Sequence, residues 1–114
     1  MEHLFLVSDN NMSPYLSKGD LAIFEPMQLG SVYNSVYLVE YRGKKMVVRV
    51  QLLIRGDMLL IFDSGDKKTI RFKSHERMRV VFIGHVIARF TRDKELKKDY
   101  PFSFNQLYLS LIHI

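Results

Sequence analysis

Val7-Ser8-Asp9-Asn10-Asn11-Met12-Ser13-Pro14-Tyr15-Leu16-Ser17-Lys18-Gly19-Asp20-Leu21 is a polar loop strung between two apolar segments. Upstream, Leu4–Val7 reads as a short strand. Within the loop, Ser13-Pro14 reads as the start of one short helical turn. A serine hydroxyl can cap exposed backbone N–H groups, and proline is tolerated at the first helical position. Gly19-Asp20 then turns the chain into a second strand, Leu21–Glu25, which Pro26 ends because it has no N–H to give to a ladder.

Outward from that loop, apolar and polar residues alternate with period two, and helical spacing is scarce. Val36–Tyr41 and Lys45–Leu53 form the arms of a hairpin around Arg42-Gly43-Lys44. Arg55-Gly56-Asp57 makes a tight turn into Met58–Phe62, and Asp63-Ser64-Gly65-Asp66 leads to a short strand over Thr69–Phe72. Met78–Phe90 is a long strand with a bulge or bend expected at Gly84. Seven or so short strands with frequent turns predict an all-β fold, a curled sheet or partial barrel of antiparallel strands. Residues 1–92 form the domain and 93–108 a C-terminal extension. Residues 109–114, Leu109-Ser110-Leu111-Ile112-His113-Ile114, resemble the translation of a transposon end used in sequencing libraries. They are set aside as an adapter tail.

The 114 residues suffice for one domain with a sizeable core, and a 47% hydrophobic content fits a globular chain. No cysteine is present, so disulfides, thiolate metal sites and a cysteine nucleophile are excluded. The N-terminus has no basic lead and only four consecutive apolar residues, unlike a secretory signal. No apolar run approaches a membrane span. A cytoplasmic protein with no membrane partner is expected. The net charge of +5 hides an asymmetry: residues 1–41 carry one basic and five acidic groups, whereas residues 42–98 carry sixteen basic and six acidic. Because these charges alternate with apolar residues, wet strand faces account for them without an acidic partner.

The loop from Val7 to Leu21 resembles the nucleophile loop of the LexA and phage-repressor type of serine peptidase, which itself is similar to that of bacterial signal peptidases. The family pattern runs from a strand through a Gly-Asp-like pair to a catalytic serine, a methionine, any residue and a proline, and a Gly-Asp then opens the next strand. Met12, Pro14, Leu16, Gly19 and Asp20 match in identity and spacing. Gly43-Lys44-Lys45-Met46-Val47-Val48-Arg49-Val50 resembles the hairpin that carries the family's catalytic lysine. Met58–Ser64 and Phe82-Ile83-Gly84-His85-Val86 resemble its later strands. The resemblance covers residues 4–90 and implies a signal-peptidase-like fold.

It also implies a serine hydroxyl activated by a lysine kept neutral through burial, with backbone N–H groups stabilising the oxyanion. Asn11 stands at the serine position, and a carboxamide is no nucleophile for this chemistry. Val48 stands at the lysine position. Alternation puts Val48 on one face with Met46, Val50 and Leu52, and Arg49 on the other. Nor does the chain contain the Ala-Gly or Cys-Gly bond that such repressors cleave in themselves. A displaced dyad of Ser13 with Lys44 or Lys45 is the alternative. Against it, Ser13 serves the turn, Lys44 belongs to the hairpin loop, and Lys45 lies on the face opposite Val48.

His3, His75, His85 and His113 show no metal-ligand spacing, and Asp63–Asp66 is too short for a calcium loop, so neither a cofactor nor a metal is expected. Three functions follow. The first is a non-catalytic LexA-like domain, the dimerisation or interaction module of a phage-type or SOS-type transcriptional regulator. It would act as a homodimer through the exposed edge of Val80–Phe90, hold a peptide or protein at the degenerate cleft, and meet DNA only through a separate N-terminal domain. The second is a serine peptidase using the displaced residues. The third is a small basic nucleic-acid-binding β domain stacking bases on Tyr37, Tyr41, Phe62 and Phe72.

Overall fold

The computed structural model describes residues 3–27 and 32–91, together with the backbone of 96–98. The strands are β1 (Leu4–Leu6), β2 (Leu21–Pro26), β3 (Ser35–Tyr41), β4 (Lys44–Leu52), β5 (Met58–Ile61), β6 (Ile70–Phe72), β7 (Val81–Phe90) and β8 (Leu96–Lys98). All pair antiparallel in one sheet of order β1-β2-β7-β3-β4-β5-β6, with β8 also on β7. The fold is therefore the expected all-β arrangement. The sheet does not close into a barrel: its terminal strands β1 and β6 are not paired with each other.

Local sequence explains most of these elements. The hairpin closes on two residues, Arg42 at φ 53° and Gly43 at φ 76°, with Tyr41 opposite Lys44. Positive φ at both central positions matches the turn to the strands' right-handed twist. Between β4 and β5 a 3-10 turn, Ile54–Gly56, replaces a bare tight turn, with Arg55 and Gly56 both at positive φ. The helical turn expected at Ser13-Pro14 is absent. The chain makes a tight turn there with a cis Ser13–Pro14 peptide, and Met12 and Leu16 form an isolated bridge. Ser13 Oγ bonds to Ser17 Oγ at 2.9 Å rather than to the backbone N–H groups it would cap in a helix.

The long strand begins later than its alternation suggests. Ser74–Arg79 forms a second 3-10 turn before β7, because Glu76 reaches back to accept the Lys73 N–H at 2.9 Å. Alternation around Gly84 is interrupted as expected. Opposite β3 the register skips Ile83, and opposite β2 it skips Ile87, so the bulges flank the glycine. Gly84 itself is where Phe24 crosses: a Cβ there would press into the Phe24 ring and sit 2.8 Å from the Glu25 carbonyl oxygen.

Alternation divides the apolar residues between the two sheet faces. On one face Val36, Leu38, Val47, Ala22, Phe24 and Val86 pack beneath Val7, Met12 and Leu16 from the 7–21 loop. On the other, Tyr37, Val39, Met46, Val48 and Val50 pack with Met58, Leu60, Phe62, Phe72 and Val80. A smaller group of Ile23, Ile87 and Ala88 lies under Leu4. Tyr37, Phe62 and Phe72 are thus core residues rather than stacking platforms, and the half-buried Tyr41 packs edge-on against Phe72.

Val80–Phe90 is not an exposed edge. β7 pairs with β2 along one side and with β3 and β8 along the other, so its ladder groups are not free for edge-to-edge dimerisation. Among the described strands the edges are β1, β6 and β8. β8 lies within the segment expected as a C-terminal extension, so the sheet continues past residue 92. Residues 109–114, including His113, lie outside the described residues. Gly84→Ala is expected to cost about 1–3 kcal/mol, the range for overpacking a filled core. A denaturant titration showing no loss of stability would contradict this account of the β2–β7 crossing.

Candidate functional site

The loop between β1 and β2 is built by short side chains that satisfy its backbone. Asp9 Oδ1 accepts the Asn11 N–H at 3.0 Å, and Asn10 Oδ1 accepts the Lys18 N–H at 2.9 Å. Asp20, only 4% exposed, accepts the Ser17 N–H at 2.8 Å. Val7 N–H donates to the Asp20 carbonyl and Gly19 N–H to the Val7 carbonyl, each at 2.9 Å, which closes the base of the loop. Asp9 and Asp20 do this locally, their short side chains reaching backbone groups two and three residues away, whereas Asn10 bridges the loop to Lys18. Gly19 sits at φ 95°, the left-handed region that favours glycine.

Further contacts fasten the loop to the sheet and to the chain that leaves β5. Asn11 carbonyl accepts the Ser64 N–H at 3.0 Å, and the neighbouring Asp63 N–H points at Met12 Sδ at 3.5 Å. Arg49 and Asp63 form a two-pronged ion pair, Nε to Oδ1 at 2.9 Å and Nη2 to Oδ2 at 2.7 Å. Tyr15 lies between two guanidinium groups, Arg89 at 4.1 Å and Arg49 at 5.4 Å from its ring centre, and Arg89 Nη1 donates to the Tyr15 carbonyl at 2.7 Å. These arginines carry the loop through cation–π and charge-assisted contacts.

Within this frame the residues carried over from the peptidase pattern separate into two roles. Met12 and Leu16 are buried and pack with Val47, while Pro14 is exposed on the turn. Gly19 and Asp20 complete the loop base. Asn11 is partly buried and fixed through its backbone on both sides. Val48 is 0% exposed and belongs to the opposite core, beside Tyr37, Val39, Phe62 and Phe72. As alternation predicts, Met46 and Val50 share its face, Leu52 packs against the same core, and Arg49 turns the other way to Asp63. A lysine in that apolar setting would be driven neutral, and valine leaves no charge to desolvate.

The displaced dyad is not assembled. The hydroxyl of Ser13 has Ser17 as its partner, Lys44 Nζ lies 3.7 Å from Asp9 with most of its side chain in water, and Lys45 is exposed. No lysine is hydrogen-bonded to a serine hydroxyl among the described residues. Nor does any group of three or more His, Asp and Glu among them come together as metal ligands. No described helix is long and apolar enough to cross a membrane.

A polar cluster that spacing could not reveal lies across the sheet from the loop. His85, 7% exposed on β7, places Nε2 2.8 Å from Ser35 Oγ and Nδ1 3.4 Å from the Tyr33 hydroxyl. Tyr37 completes it, its hydroxyl donating to the Tyr33 carbonyl at 3.0 Å and accepting the Tyr33 N–H at 3.1 Å. Burial holds the His85 imidazole below its ordinary pKa, partly offset by the Glu25 carboxylate opposite it on β2. In sequence His85 reads as one more strand histidine, since its partners come from a strand some fifty residues away. The cluster pins the start of β3 to β7. Compared with protein-family models and with curated proteins, the chain matches none.

Two predictions follow from this geometry. The folded His85 has a lower pKa than the unfolded side chain, near 6.5. The unfolded state therefore binds more protons as pH falls below about 6.5, and stability should drop there and level off below the folded pKa. His85→Gln should flatten that dependence, and equal slopes in the two proteins across pH would refute the assignment. Val48→Lys should destabilise by about 4–5 kcal/mol at pH 7, because an amine whose pKa burial lowers by about 3–5 units is largely neutral in the folded state yet charged in the unfolded one. That loss should shrink as pH rises towards the unfolded lysine pKa, whereas Val48→Met, which adds volume but no charge, should cost about 1–3 kcal/mol in thermal unfolding with no dependence on pH.

Proposed function

We propose that the chain is a non-catalytic interaction module of LexA-like type, the dimerisation domain of a phage-type or SOS-type transcriptional regulator. One observation carries the reading: the loop that resembles a nucleophile loop is firmly built, yet Asn11 occupies the serine position and a fully buried Val48 the lysine position. A proton-transfer pair needs hydroxyl and amine within hydrogen-bond reach. Retaining the loop's Asp9, Asn10 and Asp20 bonding without that pair is what a scaffold role requires. Repressors resembling this chain associate through this domain, and two-fold association suits two-fold operators.

Self-association, on this reading, uses β1, β6, β8 or an outward sheet face, since β7 is paired on both sides. The surface around Asn11 is available to hold a peptide as a ligand. The nucleic-acid reading loses support because three of its four aromatic residues are buried. DNA contact is assigned to a separate N-terminal domain. Sedimentation equilibrium at high micromolar concentration is expected to show a dimer, and a strict monomer would remove the dimerisation reading. Incubation with peptide libraries is expected to give no turnover in the parent or in Ser13→Ala. Cleavage abolished by Ser13→Ala would instead establish the displaced-residue peptidase.

A further inference from the structure

The two 3-10 turns, Ile54–Gly56 and Ser74–Arg79, are fastened to each other. Asp57 accepts the Ser74 N–H at 3.2 Å and Arg71 Nη2 at 2.8 Å, and Arg77 Nη1 donates to the Gly56 carbonyl at 3.4 Å. The turns approach so closely that a Cβ on Gly56 would lie 3.2 Å from the Ser74 Cβ. Glu76 is engaged by the Lys73 N–H and by Arg79 at 3.2 Å. Both carboxylates of this end of the molecule are therefore occupied by arginines and backbone donors. Arg55 and Lys73 are exposed and enter no ion pair among the described residues.

On these turns stand the two most exposed large apolar side chains among the described residues, Ile54 at 91% and Met78 at 84%. Val81, at the start of β7, is 54% exposed as well. Single exposed aliphatic residues are ordinary on protein surfaces. Two nearly bare ones on turns tied together, among Arg55, Arg71, Lys73, Arg77 and Arg79, form a more specific combination. Aliphatic side chains gain nothing from a phosphodiester backbone, and nucleic-acid stacking would call on rings that here are buried. Like charge on both partners opposes pairing of this end with its counterpart in a second copy. Aliphatic tips among cations suit a surface that is anionic at its outside and apolar just beneath.

We propose that this end of the molecule rests on a lipid bilayer carrying anionic headgroups. Ile54 and Met78 enter the boundary between headgroups and acyl chains, and Arg55 and Lys73 meet the headgroup phosphates. That no described helix is long and apolar enough to cross a membrane is no obstacle, because surface binding needs only buried apolar area and electrostatic attraction. The contact does not involve the peptidase-like loop, and it adjoins β6, one of the edges open to self-association.

Co-sedimentation of the full chain with vesicles tests it, using phosphatidylcholine alone and phosphatidylcholine mixed with phosphatidylglycerol. The chain should bind the mixed vesicles, weaken as salt rises, and ignore the neutral ones. Ile54→Ser/Met78→Ser should lower the partition coefficient about tenfold or more, as expected for two aliphatic side chains withdrawn from an apolar phase. Arg55→Glu/Lys73→Glu should lower it comparably. All four positions are exposed, so circular dichroism and thermal unfolding should match the parent and separate lost binding from lost folding. No binding to mixed vesicles at low salt overturns the proposal. So does binding that either double variant leaves unchanged, or a response to duplex DNA in place of vesicles. A shift in sedimentation equilibrium caused by Ile54→Ser/Met78→Ser, without vesicle binding, would reassign the surface to self-association.

Discussion

The sheet depends on the pairing of β7 along both of its sides. Leu21 meets Phe90 and Pro26 meets Gly84 on one side, while Tyr37 meets His85 and Glu40 meets Val81 on the other. Removing this strand would leave a β1–β2 hairpin-like pair and a β3–β6 meander with no ladder between them. Such distant pairing is entropically costly to close, so it must be supported by side chains as well as backbone. The support is visible: Phe24 crosses Gly84, His85 bonds Ser35 beneath the β3 entry, and Arg89 reaches over to Tyr15. Each contact fixes β7 to a different neighbour, and the two flanking bulges adjust its twist to serve both.

Once β7 is placed, the two faces of β3 and β4 acquire different duties. Val36, Leu38 and Val47 seat the loop through Met12 and Leu16, while Tyr37, Val39, Met46, Val48 and Val50 build the core that β5 and β6 cover. A one-residue slip in β4 would exchange Val47 with Val48 and put Arg49 into the apolar core. The Arg49–Asp63 pair opposes that slip, since the guanidinium finds its carboxylate only in the observed register.

Where the alternation is long and the turn chemistry explicit, as in Val36 to Leu52, the amino-acid order leads directly to the observed hairpin, to within a residue at either end. It misleads where local bonding competes with pattern. Ser13-Pro14 carries the marks of a helix start, but Asp9, Asn10 and Asp20 claim the surrounding N–H groups first. Met78 to Val80 continues the alternation of β7, yet Glu76 binds the Lys73 amide and wraps the segment into a 3-10 turn. The position of β7 inside the sheet was beyond period-two reasoning altogether. Alternation identifies a strand's faces but says nothing about its neighbours, and an apparent edge became the most heavily paired element. Asn11 and Val48 were legible as residue types; that Val48 sits in the core opposite Met12 follows only from the packing.

Charge shows the same dependence on placement. Arg49 and Arg89 come from the strongly basic part of the chain, but the structure uses them internally, around Tyr15 and Asp63, to hold the loop. Arg71 and Arg79 are mostly exposed yet committed to Asp57 and Glu76. A bulk count of sixteen cations therefore overstates the field available to a partner. The unengaged positive charge concentrates where backbone turns, rather than strands, present it. Arg55 illustrates the cause. Its backbone is held at φ 75° by a turn with no room for a ladder, so its side chain projects from the end of the sheet instead of lying along a face. Strand alternation spreads charge evenly over a sheet, and departures from it at turns are what create a localised surface with chemistry of its own.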